Sequence, residues 1–258
     1  MARWERMTAS VDRLARCILV AALAALVGAG VPVSASVLPA WGVEVHERLD
    51  ASAASQPEVA ITLDACGGRY DAQLIRTLVS LRVAATVFVT KKWLDRNPAG
   101  AADLLAHPDL FELEDHGTAH VPAVIGAGRR VYGIGGQPDE QHLRDEVGGA
   151  ARAIEALTGR APAFFRGATA VYDARALELI RAMGYQVAGF SVNADAGATL
   201  PEAGIVARLR AVQPGDVVIA HMNKPAGATA EAFAAALPEL IQRGFRFVLL
   251  SQRSIRPN

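Results

Sequence analysis

The chain of 258 residues is 52% hydrophobic and 20% charged, which is long enough for one large core and too apolar for a disordered chain. Its 26 basic and 26 acidic residues cancel, so no global field favours nucleic acid or an anionic membrane surface.

At the N-terminus Arg3, Arg6, Arg13 and Arg16 precede the apolar run CILVAALAALVGAGV, and Val33, Ser34 and Ala35 offer small residues for cleavage. Residues 1–35 therefore read as a secretory signal, with an uncleaved anchor as the alternative. The run, about 15 residues, is short for a bilayer span of about 20, so no stable span is expected once the signal is removed. Either way the remainder is exported, and a bacterial periplasm, cell envelope or secreted location is expected. Of the two cysteines, Cys17 lies in the signal and Cys66 stands alone in the exported part, which excludes an internal disulfide there.

Residues 36–57, rich in Ala and Ser and ending in Gln56 and Pro57, read as a linker to a single domain over 58–258. β-Rich runs follow at 59–63, 85–90, 110–115, 163–167, 186–192, 216–222 and 245–251. Helix-period segments lie between them. In the first, Leu74, Ile75, Leu78 and Leu81 share a face and Asp71 is placed to cap it; in another, Asp173 caps a segment that stops at Gly184. The others are 94–106, 140–158, 201–211 and 229–243. Alternating strands and helices predict parallel pairing in an α/β fold, because parallel neighbours need a crossover. An open doubly wound sheet and a TIM-barrel-like closure with one unit missing both satisfy the pattern, and no GxGxxG follows the first strand. The glycine-rich stretch 126–136 reads as a loop over the active face.

Polar residues recur where each strand ends: Asp64 after the first, Asp115, His116 and His120 after the third, Arg166 after the fourth, Asn193 and Asp195 after the fifth, His221 after the sixth. That edge is where parallel α/β proteins build sites, so these residues are expected to converge. His116 and His120 are four apart, a spacing that brings both to one ion if a helical turn follows the strand. A hydrolytic metal site with two histidines wants a carboxylate as third ligand; Asp64 is the first choice, Asp115 or Cys66 the others. A buried Arg166 must be paired, and Asp64 is the expected partner. Asp195 or Asn193 is placed to fix the tautomer of His221, and Asp195 would also raise its proton affinity and make it a general acid.

Five segments in this order resemble the polysaccharide deacetylases, the NodB-homology family also known as carbohydrate esterase family 4. TLDA resembles the first motif, usually TFDD; HGTAH the H-x-x-x-H motif; FFRGA the arginine motif; SVNADAG, weakly, the Asp-Trp motif; and VVIAH the final histidine motif. The resemblance spans residues 58 to 251. It implies a distorted (β/α)7 barrel and a zinc-like divalent metal bound by His116, His120 and Asp64. It also implies that Asp64 is the general base, that Arg166 orients it, and that His221, assisted by Asp195, protonates the leaving amine. Backbone N–H groups near the arginine motif would meet the oxyanion.

Three positions depart from the pattern: Ala65 replaces the family's metal-binding second Asp, Ala196 and Gly197 stand where its tryptophan is expected, and Gly167 replaces the usual proline after the arginine. The leading expectation is an exported hydrolase that removes N-acetyl groups from an amino-sugar polymer or its fragments. The alternatives are a hydrolase of a small non-peptide amide and a carbohydrate-binding protein with a degenerate site.

Overall fold

The computed structural model describes residues 38–258. The segment 1–35, read as a signal, lies outside the described residues, and among these no helix is long and apolar enough to cross a membrane. Strands β1 (Val43–Glu44) and β2 (Glu47–Leu49) precede β3 (Glu58–Ala65), β4 (Ala85–Val89) and β5 (Phe111–Asp115). A hairpin of β6 (Arg130–Val131) and β7 (Ile134–Gly135) follows, then β8 (Phe164–Phe165), β9 (Val171–Tyr172), β10 (Gln186–Val187) and β11 (Val192–Asn193). The last three are β12 (Val217–His221), β13 (Arg246–Phe247) and β14 (Ile255–Pro257).

The main sheet runs β10-β8-β5-β4-β3-β12-β11, parallel throughout. Its two edge strands are the two halves of the fifth predicted run. Val187 and Val192 are joined by a stretch that reaches no more than ~18 Å, so the sheet must curl until its edges approach. β13 pairs with the start of β3 through Val248 N–H to the Val59 carbonyl, below the point where β4 begins. The result is a distorted (β/α)7 barrel in one domain.

The stretch read as a linker does more than connect. The gap between β10 and β11 is bridged by residues 45–47: Phe190 N–H donates to the Val45 carbonyl and Glu47 N–H to the Phe190 carbonyl. β1 pairs with β9 and β2 with β14, so from about one third of the way through this alanine- and serine-rich stretch the backbone is already part of the fold. Its short strands bury few apolar side chains, so the composition did not mark them.

Strand alternation sorts the side chains. In β3, Val59, Ile61, Leu63 and Ala65 join the core formed with the helices, beside Leu74, Phe233 and Leu240. Ala60 faces the other way, with Phe88, Phe164, Phe190 and Ile219 inside the barrel. Thr62 and Asp64 share that inward parity. Truncating Leu63, which is fully buried, to Ala would cost about 2–5 kcal/mol.

The helices lie where the periodicity predicts them, with one division. The segment 94–106 splits into Lys91–Arg96 and Pro98–Leu105, because the proline ring drives Asn97 out of the helical region, to φ −127°. Asp71 and Asp173 cap their helices by accepting the N–H of Leu74 and Ala176. The glycine-rich stretch is a hairpin turned by Tyr132 and Gly133, both at positive φ, and Arg129 anchors it to Asp173 at 2.7 Å.

Candidate active site

Register places the ends of the central strands level, with His221 directly opposite Asp64 on β12 and β3. Arg166, fully buried just after β8, stitches the barrel interior. Its guanidinium donates to Asp64 Oδ1 at 2.9 Å, Thr62 Oγ1 at 2.8 Å and the carbonyls of Ala188 and Gly189, and it stacks on the Phe88 ring at 4.2 Å. Burial works against the Asp64 carboxylate, but His116, Arg166 and His221 outweigh it and hold its pKa below the ordinary value.

His116 and His120 do not sit on a helical turn. The segment is a loop in which Gly117 has φ +89° and His120 φ +66°, a left-handed conformation that histidine tolerates better than most residues. That reversal brings the rings together, with centroids 4.9 Å apart. Two neighbours hold the loop. The first N–H groups of helix Lys91–Arg96 donate to the carbonyls of Gly117 and Thr118, and the buried Glu146 carboxylate accepts from Ala119 and Val121 N–H. Gly117 is required here, since a Cβ would lie 2.5 Å from Glu146 Oε1.

The His116 Nδ1 atom is 2.6 Å from the Arg166 carbonyl oxygen, which can only accept, so Nδ1 carries the proton and Nε2 is turned inward. Nε2 lies 3.5 Å from Cys66 Sγ and 3.7 Å from Asp64 Oδ2. Among the described residues, the metal-binding side chains whose donor atoms all meet within 4.8 Å are Cys66, His116 and His120. Thiolate and imidazole are donors that zinc takes, so the group fits a divalent metal. Burial disfavours the His116 imidazolium, yet the negative charges of Asp64 and Cys66 push its pKa up to about 9. The Cys66 thiol is drawn well below its usual value, because His116 foremost outweighs its burial.

The first choice for third ligand was Asp64, and it does lie beside His116, but with one oxygen committed to Arg166. Asp115 belongs to the opposite strand face, with Phe111 and Leu113, and accepts from Gly117 N–H; burial drives its pKa well up. Ala65 is completely buried in the core between sheet and helices. An acid there would be stranded among hydrocarbon, which accounts for the small apolar residue.

His221 is oriented by Asp195: its Nδ1 is 2.9 Å from Oδ1 and its backbone N–H donates to Oδ2 at 2.8 Å. Burial lowers the pKa of His221, but Asp195 and Cys66 raise it well above the ordinary histidine value. The Thr229 hydroxyl and the Gly197 N–H also donate to Asp195, whereas Asn193 accepts from Ala196 N–H and faces solvent. Ala196, Gly197 and Ala198 are all at positive φ, a tight loop in which a bulky residue would be strained. Gly167 N–H donates to the Tyr172 hydroxyl, a bond that a proline in its place could not make.

Sequence reasoning passed over three positioning residues. Thr90 caps helix Lys91–Arg96 by accepting Trp93 N–H and donates to the Cys66 carbonyl at 2.7 Å; the T-K-K-W pattern was its signal. Glu146 lies inside a helical segment and Thr229 is the first residue of another, and nothing local marks either as part of the site. Beside the site an open cavity of about 410 Å³ is bordered by Arg69, Ala198, Asn223, Lys224 and Gly227. A larger one, about 580 Å³, lies among Leu104, Phe111, Glu112 and Arg160 and contains none of the candidate site residues.

Comparison with known proteins bears on the fold and the family. Residues 51–188 match the family model described as polysaccharide deacetylase. No functionally curated protein matches the chain. Among solved structures, a CE4 family pseudoenzyme from Bacillus anthracis superposes with a TM-score of 0.62 at 19% identity, covering 77% of this chain; the chain spans 65% of its length. The peptidoglycan deacetylase PdaC from Bacillus subtilis gives 0.61 at 20% identity, covering 77% of this chain and 90% of that one. PdaA from Bacillus subtilis, a family 4 carbohydrate esterase, gives 0.61 at 16%, covering 81% and 84%. These likenesses establish the fold, and the family model, which covers more than half of the sequence, establishes the kinship: the chain belongs to the polysaccharide deacetylase family.

Proposed function

We propose that the protein is an exported, metal-dependent hydrolase that removes N-acetyl groups from an amino-sugar polymer or its fragments, consuming water and yielding acetate and a free amine. The observation that carries this reading is the pairing of two differently supported groups on adjacent strands: Asp64 held charged by Arg166, and His221 held by Asp195, level with each other, with Asp64 3.7 Å from His116.

A divalent metal held at His116 and His120, zinc by its donor set, would polarise the acetyl carbonyl and lower the pKa of a water molecule. Asp64 is the general base that takes the proton from the attacking water, and Arg166 keeps it ionised and aimed. His221 is the general acid: it gives its Nε2 proton to the departing amine nitrogen as the carbon–nitrogen bond breaks, while Asp195 holds Nδ1. Because Gly167 N–H is committed to Tyr172, the oxyanion donor falls to other backbone N–H groups near the arginine motif.

The solved relatives named as peptidoglycan deacetylases support a cell-wall or similar amino-sugar substrate, and the signal-like N-terminus supports export. The test is product analysis by mass spectrometry after incubating the zinc-loaded protein with N-acetylglucosamine oligomers and, separately, with small N-acetyl amides. Oligomers with free amines support the reading. Cleavage of the small amides alone would move the substrate class. Sugar binding without cleavage of either would identify a degenerate binding protein.

A further inference from the structure

We propose that Cys66 is the third protein ligand of the metal, in place of the carboxylate that Ala65 cannot supply, and that this makes the site selective for zinc over harder cations. The inference deepens the reading of a metal-dependent hydrolase and rests on it.

Strand alternation supplies the first argument. Thr62 and Asp64 face the barrel interior and Leu63 and Ala65 face the helices, so the next residue returns to the interior. An acid at position 65 would need the strand to end one residue earlier. Here β3 keeps its register with β4 through Ala65, opposite Val89, and the donor is displaced by one position to Cys66.

The side-chain geometry is the second. Cys66 Sγ is 3.5 Å from His116 Nε2, and a sulfur and a nitrogen bound to one tetrahedral zinc lie about 3.6 Å apart. His120 completes the group within 4.8 Å. The supports are those of a built ligand set: the Arg166 carbonyl fixes the tautomer of His116, Thr90 holds the Cys66 carbonyl, and Glu146 holds the His120 loop. Gly68, whose Cβ would lie 2.0 Å from the Asn223 carbonyl oxygen, lets the chain turn tightly after Cys66.

The third argument is division of labour. Asp64 gives one oxygen to Arg166, so a thiolate ligand leaves its other oxygen free to act as a base. A thiolate also prefers zinc or another soft or borderline ion to magnesium, calcium or manganese.

The experiment uses the full-length protein, with metal content by mass spectrometry and cobalt(II) as spectroscopic probe. Wild type is expected to bind one zinc, to show a thiolate-to-cobalt charge-transfer band in the near ultraviolet, and to lose that band in Cys66→Ser along with at least about 100-fold in zinc affinity. Cys66→Asp should regain metal binding without the band and with raised affinity for manganese. Iodoacetamide labelling of wild type, read peptide by peptide to separate Cys66 from Cys17, should be blocked at Cys66 by zinc, a readout independent of how the variants fold. Cobalt binding without the band, or labelling of Cys66 unaffected by zinc, would overturn the assignment. The two readings fail separately: acetate release by a metal enzyme without the band removes only the Cys66 ligand, whereas a sulfur-bound metal without amide cleavage removes only the hydrolase.

Discussion

The imidazole of His116 donates through Nδ1 to the carbonyl oxygen of Arg166, 2.6 Å away, while the Arg166 guanidinium holds Asp64 at 2.9 Å. One residue thus orients both a proposed metal ligand with its backbone and the proposed base with its side chain. The arginine motif is a structural joint as well as an electrostatic one.

Removing that joint has a predictable cost. Arg166→Met should leave the buried Asp64 charge unpaired and destabilise the fold by about 3–5 kcal/mol, read from urea denaturation. Adding Asp64→Asn should recover part of the loss, because the stranded charge goes with it. Equal stability of the single and double variants would show that the pair is not coupled in this way.

Asp195→Asn should lower kcat by about 10²- to 10⁴-fold, since His221 loses the carboxylate that orients it and stabilises its acid form. Zinc content, measured on the same preparation, should not change. A variant that also lost its metal would place Asp195 in the metal site rather than behind the acid.

The His116–His120 loop depends on Glu146. Gly117→Ala would strain a φ of +89° and drive a methyl group against the Glu146 carboxylate, and Glu146→Ala would remove the acceptor for Ala119 and Val121 N–H. Both should weaken zinc binding by about 10- to 100-fold in competition with a chelator, as outer-shell changes commonly do. Circular dichroism should remain that of the wild type.

Acid stability has a distinct contributor away from the site. Glu58 is buried and paired with Arg253 at 2.5 and 2.6 Å, and those bonds keep its pKa below the ordinary value of 4.5 despite the opposing effect of burial. A carboxyl whose folded pKa is depressed stabilises the fold above its unfolded pKa and loses that contribution as the pH falls through the folded one. Thermal melts of wild type and Glu58→Gln should therefore differ at pH 7 and converge below pH 4.5. A Tm difference that persisted unchanged in acid would refute the assignment.

Most of the architecture was legible because the strands and helices carry strong periods, and strand ends pointed to Asp64, His116, Arg166 and His221. The structure adds what local pattern does not contain. The strands at residues 43–49 are short and half exposed, and become part of the fold only by pairing with β9, β14 and residue 190. A four-residue spacing between histidines suggested a helical turn, but two positive-φ residues make the approach instead. Cys66 ranks behind Asp64 in the sequence because two histidines at a hydrolytic metal want a carboxylate as third ligand; that its sulfur lies 3.5 Å from His116 is a tertiary fact. Glu146 acts across 25 residues or more of sequence, where no window of sequence reports on it.

The central claim is that Asp64 serves as the base of a metal-dependent deacetylase, and acetate release from N-acetylglucosamine oligomers by zinc-loaded wild type and Asp64→Asn tests it most directly. The account predicts steady acetate production by wild type and a loss of at least about 100-fold in Asp64→Asn with zinc still bound. No acetate from zinc-loaded wild type, or an unchanged rate in the variant, would contradict it.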